Sequence, residues 1–172
     1  MDMHGILVVG GARSGKSRRA LQLAQETDGE RVFIATAQRS DAEMTRRIAR
    51  HRAERGGGFR TLEVPLDLIG ALRAEVSPAR VVVVDCLTLW LSNCLRERWD
   101  AGAQARSLAA FLAAASGPVI LVSNEVGMGL VPDTPLGRAF RDAQGELNRE
   151  VAAVCRRVEF MVAGLPLTVK PA

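Results

Sequence analysis

Short runs of consecutive apolar residues alternate with longer segments of helical period along this chain. Residues 5–10 (GILVVG), 31–37 (RVFIATA), 81–84 (VVVV) and 119–123 (VILVS) are apolar on both parities. Such runs predict strands buried on both faces of a parallel sheet. Weaker strands are expected at 59–64, 158–163 and 167–170. Between them, helices are predicted over 15–25, 65–76, 87–98 and 103–115, and from about 136 to 157. A further helix of about four turns opens at Ser40, where Glu43 completes a capping box, and it stops at Gly56-Gly57-Gly58. Residues 124–135, rich in Gly and Pro, read as a loop. Regular alternation of strand and helix implies an α/β fold, a mainly parallel sheet with helices on both faces. The 172 residues suit one domain spanning 1–172, without repeat or linker.

Composition narrows the class. Hydrophobic residues make up 48%, which argues for a packed core. No apolar run approaches the length of a membrane span. Residues 1–9 lack a basic region and a cleavage site, so they are expected to be a first strand rather than a signal peptide. A cytoplasmic location is the expectation. Cys86, Cys94 and Cys155 form neither a disulfide framework nor a zinc spacing, and are expected as buried small hydrophobes. The formal charge is +4, carried almost entirely by dispersed arginines, since Lys16 and Lys170 are the only lysines. With aromatics at 4% there is no stacking platform for a nucleic acid, and a basic polyphosphate pocket accounts for the charge equally well.

The chemistry starts at Gly10-Gly11-Ala12-Arg13-Ser14-Gly15-Lys16-Ser17, an ungapped G-x-x-x-x-G-K-[ST]. Its glycines let successive backbone N–H groups curl around phosphate oxygens, and the following helix adds the positive end of its dipole. Lys16 reaches the β/γ-phosphates and the Ser17 hydroxyl can ligate Mg²⁺. A strand precedes the motif and a helix follows, so the expected fold is P-loop NTPase-like. Asp85, directly after the 81–84 strand, is placed as a second Mg²⁺ ligand; its alternative role is capping the helix that starts at Leu87. These residues imply a nucleotide hydrolase or transferase without separating the two.

His51 shares a predicted helix face with Met44, Arg47, Ile48 and Arg55, and Arg50 and Arg52 flank it. Arginines suit a triphosphate through bidentate pairing, and their charge disfavours imidazolium, leaving a neutral nucleophile. A solvated basic helix face with an incidental histidine is the competing account.

The blocks GGARSGKSRRA, IATAQRSDAEMTRRIARHR, VVVVDCLTLWLSN and SNEVGMGLVPDTPLGRAFRDAQGELNREVA, in this order, resemble the bifunctional adenosylcobinamide kinase/adenosylcobinamide-phosphate guanylyltransferases of cobalamin biosynthesis. The resemblance covers essentially the whole chain, and NEVGMGLVP is its most specific part. It implies phosphorylation of adenosylcobinamide with ATP or GTP, then transfer of GMP from GTP through a GMP-histidine intermediate. On this resemblance the nucleophile falls on His51. Nucleotide contacts fall on residues 10–17, on Ala35, Thr36 and Ala37, on Arg52, Ala53, Glu54 and Arg55, and on Glu63 and Asp85. Some members carry a second histidine where this chain has Arg50, and others Glu in place of Asp85. A cytosolic homo-oligomer, with a trimer as its expected state, is also implied.

Two other readings compete: a plain small-molecule P-loop kinase, and a nucleotide-dependent switch or nucleic-acid motor. The residues at 127–129 (GMG) stand either as part of a corrinoid surface or as a structural turn.

Overall fold

The computed structural model describes residues 5–38 and 58–171. The predicted helix opening at Ser40 and Glu43 falls outside them. Strands β1 (Ile6–Gly10), β2 (Glu30–Ala35), β3 (Arg60–Glu63), β4 (Arg80–Asp85), β5 (Val119–Asn124), β6 (Arg157–Val162) and β7 (Leu165–Lys170) join one sheet in the order β3-β2-β4-β5-β1-β6-β7. All neighbours are parallel except β6 and β7, which pair antiparallel. The described helices are α1 (Lys16–Gln25), α2 (Leu68–Glu75), α3 (Leu87–Arg96), α4 (Ala101–Ala113) and α5 (Pro135–Val154).

Strand side chains alternate between two cores, as the period of two requires. Ile6, Val8, Phe33, Val81, Val83, Ile120 and Val122 pack with Ala20, Leu23 and Ala24 of α1. Leu7, Val9, Val32, Ile34, Val82, Val84 and Leu121 pack with Leu68 and Leu72 of α2, Leu87, Trp90 and Leu91 of α3, Leu108 of α4, and Leu147 and Val151 of α5. Helices therefore cover both faces, and the unbroken apolar runs are explained by burial on each side.

Several boundaries differ from the sequence expectation for identifiable reasons. The helix expected from residue 65 begins at Leu68, where Asp67 caps it by accepting from Gly70 N at 3.0 Å. The helix expected to reach 157 ends at Val154, because Arg156 N and Arg157 N already donate to Gly5 O and β6 pairs with β1. Pro135 opens α5 at its first turn, where its missing N–H costs nothing, with Thr134 as cap. The last strand starts earlier, at Leu165, because Ala163 (φ 51°) and Gly164 (φ 85°) make a two-residue hairpin.

Candidate functional site

The carboxyl ends of the parallel strands form one rim, and β1 lies between β5 and β6 in that rim. Ligands of open α/β sheets bind on this edge. The loop leaving β1 runs through Gly11, Ala12, Arg13 and Ser14 into α1. At the helix N-cap, Gly15 takes φ 95°, a left-handed conformation that glycine adopts without a Cβ penalty. No side chain caps α1, so the dipole's positive end is left for an anion.

Close packing shapes the loop from behind. A Cβ at Gly10 would lie 2.7 Å from Met161 O of β6, so only glycine lets β1 turn there. Gly164 N of the hairpin donates to Ser14 O at 3.2 Å. Lys16 is 7% exposed, and its ammonium donates to Gly11 O, folding the side chain over the loop. Ser17 is half-buried in the first turn of α1, while Ala12 and Arg13 are exposed. The Ser14 hydroxyl is buried without a hydrogen-bond partner.

Asp85 ends β4, with Val122 opposite it on β5. One of its carboxylate oxygens, Oδ2, is buried and has no hydrogen-bond partner. The cap position of α3 is held by Cys86, without a side-chain hydrogen bond, so the capping alternative for Asp85 does not apply. An unsatisfied buried carboxylate oxygen is costly unless a cation or donor meets it. Burial, and then the Asp85 charge, push the Cys86 thiol up to about 11, with Lys16 opposing.

Ala35, Glu63 and Asp85 are level across β2, β3 and β4. Glu63 is exposed there, and Ala35 and Ala37 are half-buried. Thr36 departs from the expectation of a nucleotide contact. It is 0% exposed, and its hydroxyl donates to Cys86 O at 2.7 Å and accepts from Cys86 N at 2.9 Å. It clamps β2 to the residue after Asp85 and offers no surface to a ligand. His51, Arg52, Ala53, Glu54 and Arg55 lie outside the described residues.

The structure adds polar residues that sequence reasoning passed over. Asn93 of α3, 2% exposed, donates to Thr36 O at 2.8 Å and Pro65 O at 2.9 Å, and accepts from Arg96 at 2.9 Å. Gln144 of α5 donates to Ser123 Oγ at 2.9 Å and to Asn148 Oδ1 at 3.0 Å, and Asn148 Nδ2 donates to Asn124 O at 3.0 Å. Thr88 Oγ1 accepts from Asn124 N at 2.9 Å, and Glu125 N donates to Gly10 O at 3.0 Å. These bonds fix the chain at the ends of β2, β3 and β5. The available signal was a polar residue at an apolar-face position of a helix, as at Asn93 within LTLWLSNCLR.

Among the described residues no group of three or more His, Cys, Asp or Glu could hold a metal. The set at hand is Ser17 and Asp85, an all-oxygen pair, which suits a hard cation completed by phosphate oxygens and water.

Comparison with known proteins covers nearly the whole chain. The family model described as cobinamide kinase / cobinamide phosphate guanyltransferase matches residues 6–169. The bifunctional adenosylcobalamin biosynthesis protein CobP of Pseudomonas aeruginosa is 49% identical over 168 residues, covering 95% of this chain and 96% of that protein. The bifunctional adenosylcobalamin biosynthesis proteins CobU of Escherichia coli K12 and Salmonella typhimurium LT2 are 38% and 37% identical over 180 residues, covering 96% of this chain and 99% of each. Among solved structures, an ATPase domain aligns with 92% of this chain and 69% of its own, at 12% identity and a TM-score of 0.47.

Proposed function

The chain belongs to the cobinamide kinase / cobinamide phosphate guanyltransferase family, and from that premise we propose how one phosphate cradle serves both of its activities. The enzyme phosphorylates adenosylcobinamide with ATP or GTP. It then transfers GMP from GTP to adenosylcobinamide phosphate, giving adenosylcobinamide-GDP and pyrophosphate. The observation that carries the reading is the Lys16 cradle on the same sheet edge as the buried, unpartnered Asp85 oxygen.

In the kinase step the alcohol oxygen attacks the γ-phosphorus as the β–γ bridge breaks, so positioning and charge stabilisation supply most of the catalysis. Lys16 and the N-terminal amides of α1 hold the polyphosphate, and Arg13 stands exposed beside it. Ser17 and Asp85 are the residues that would hold Mg²⁺, which when bound neutralises polyphosphate charge. In the guanylyl step the His51 imidazole attacks the α-phosphorus and pyrophosphate leaves. An oxygen of the corrinoid phosphate then displaces histidine from the GMP. Support for His51 is the arginine-rich pattern around it and the resemblance of that block to the family. Arg52, Ala53, Glu54, Arg55, Ala35, Ala37 and Glu63 belong to the same proposal as nucleotide contacts.

A cytoplasmic homo-oligomer, with a trimer to be sought by sedimentation equilibrium, completes the reading. No described helix is long and apolar enough to cross a membrane. Exposed apolar residues on the edge strand β7, Leu165, Leu167 and Val169, support self-association. No nucleic acid partner enters the proposal.

GTP labelled at the α-phosphate tests it. Wild type should become labelled without corrinoid and release pyrophosphate, through an acid-labile, base-stable bond. His51→Ala should lose label and guanylyl transfer yet keep most kinase turnover. Lys16→Ala should lose both, by at least about a hundredfold, as expected when a main charge stabiliser is removed. Unlabelled wild type with intact kinase turnover would leave a plain P-loop kinase as the better account.

A further inference from the structure

We propose that the exposed apolar loop between β5 and α5 receives the corrinoid body of the acceptor substrate. This rests on the kinase reading above and gives that reading its second subsite. Met128 is 80% exposed, Leu130 96%, Val131 62% and Leu136, in the first turn of α5, 76%. Scattered exposed apolar side chains are ordinary, but so many within one short segment mark a binding surface.

The loop is held at both ends, while its apolar middle is presented to solvent. At its root, Asn124 lies level with Gly10, the first residue of the cradle. Glu125 N bonds to Gly10 O, and Asn124 is held by Thr88 and Asn148. Glu125 Oε1 accepts from Gly127 N, turning the chain outward. At its far end Arg138 donates to Pro132 O at 2.9 Å and Asp133 O at 3.0 Å, and Thr134 accepts from Gly137 N at 3.1 Å.

Continuity with the cradle selects the occupant. The nucleotide is anchored through its phosphates, so an apolar surface that begins one residue from Gly10 lies beside the cradle, where the alcohol-bearing partner meets the nucleotide. A corrinoid has a methyl-rich rim that suits an apolar surface. It also carries net positive charge when its cobalt(III) bears an adenosyl group. The run 126–131 (VGMGLV) has no charged residue, and Glu125 and Asp133 bracket it with acids. Among the described residues β7 holds another exposed apolar cluster, and its hairpin also reaches the cradle through Gly164 N and Ser14 O. It ends in the basic Lys170, however, and carries no acidic residue of its own, so it lacks the charge that suits a cationic corrinoid.

The test is the double variant Met128→Ser/Leu130→Ser, whose side chains are exposed, so folding is spared. At saturating GTP its KM for adenosylcobinamide should rise about tenfold, from the loss of two apolar contacts. KM for the nucleotide and kcat at saturating corrinoid should each change by less than about twofold. An unchanged corrinoid KM overturns the proposal. A rise confined to the nucleotide KM overturns it in favour of a nucleobase contact, and a changed sedimentation coefficient with unmoved KM does so in favour of a second copy of the chain. Wild type that fails to phosphorylate adenosylcobinamide would instead sink the parent reading, and this subsite with it.

Discussion

Among the described residues, Asp85 carries the only buried carboxylate oxygen without a hydrogen-bond partner. The fold accepts the cost of desolvating it, and a site that does so should be poorer in stability than in function. Asp85→Asn should therefore raise the Mg²⁺ concentration needed for half-maximal rate by about tenfold in both activities, one fewer anionic ligand facing the cation. Its melting temperature should stay level or rise. Magnesium titration beside thermal denaturation checks both. A lower melting temperature with unaltered magnesium dependence would make Asp85 a structural residue. Thr36 is the contrasting case, since its hydroxyl is fully used on Cys86 and its effect on the site acts through the chain around Asp85.

At the scale of elements, α1 is tied to β6 by a buried ion pair. Arg19 donates bidentately to Glu159 at 2.8 and 2.9 Å, and Arg157 contacts the same carboxylate. The Glu159 side chain is 0% exposed, and those of Arg19 and Arg157 are 17% and 18%. Burial alone would raise the Glu159 pKa, but Arg19 and then Arg157 outweigh it and hold the carboxyl below its ordinary value. A depressed folded pKa contributes stability above the unfolded value near 4.3, lost as pH falls through the folded one. Glu159→Gln should cost about 3 kcal/mol at pH 7, because two guanidinium groups lose their partner. That cost should shrink as the wild type is acidified below about pH 4. Urea unfolding at pH 7 and at pH 3 measures the difference; an equal loss at both would mean that packing, not charge, carries the tie.

At the scale of the whole molecule, the two cores enclose its three cysteines, Cys94 and Cys155 on one face of the sheet and Cys86 on the other. Cys86, Cys94 and Cys155 are free and buried. Burial pushes their thiols up to about 11, about 11 and about 12, so little thiolate exists near neutral pH. Native protein at pH 8 should react with a chromogenic disulfide only as fast as it opens, and guanidinium should release three equivalents. Rapid labelling of a native thiol would show that one of them reaches solvent by a local opening.

The phosphate cradle was legible because its chemistry is local. Eight contiguous residues carry the loop, the lysine and the hydroxyl, and the strand before and helix after them follow from apolar runs and helical period. The central strands were equally plain, since burial on both faces leaves no polar alternation to misread. The resemblance supplied His51, which no periodicity could have chosen over a solvated helix face. Tertiary structure alone decided what depends on residues distant in sequence. It set β1 between β5 and β6, turned β7 antiparallel, and faced Thr36 inward. It also left Asp85 Oδ2 without a partner and recruited Asn93, Gln144 and Asn148 as clamps. A polar side chain on a helix reads the same in sequence whether it meets water or a buried carbonyl. Only the packing of one strand end against another determines which.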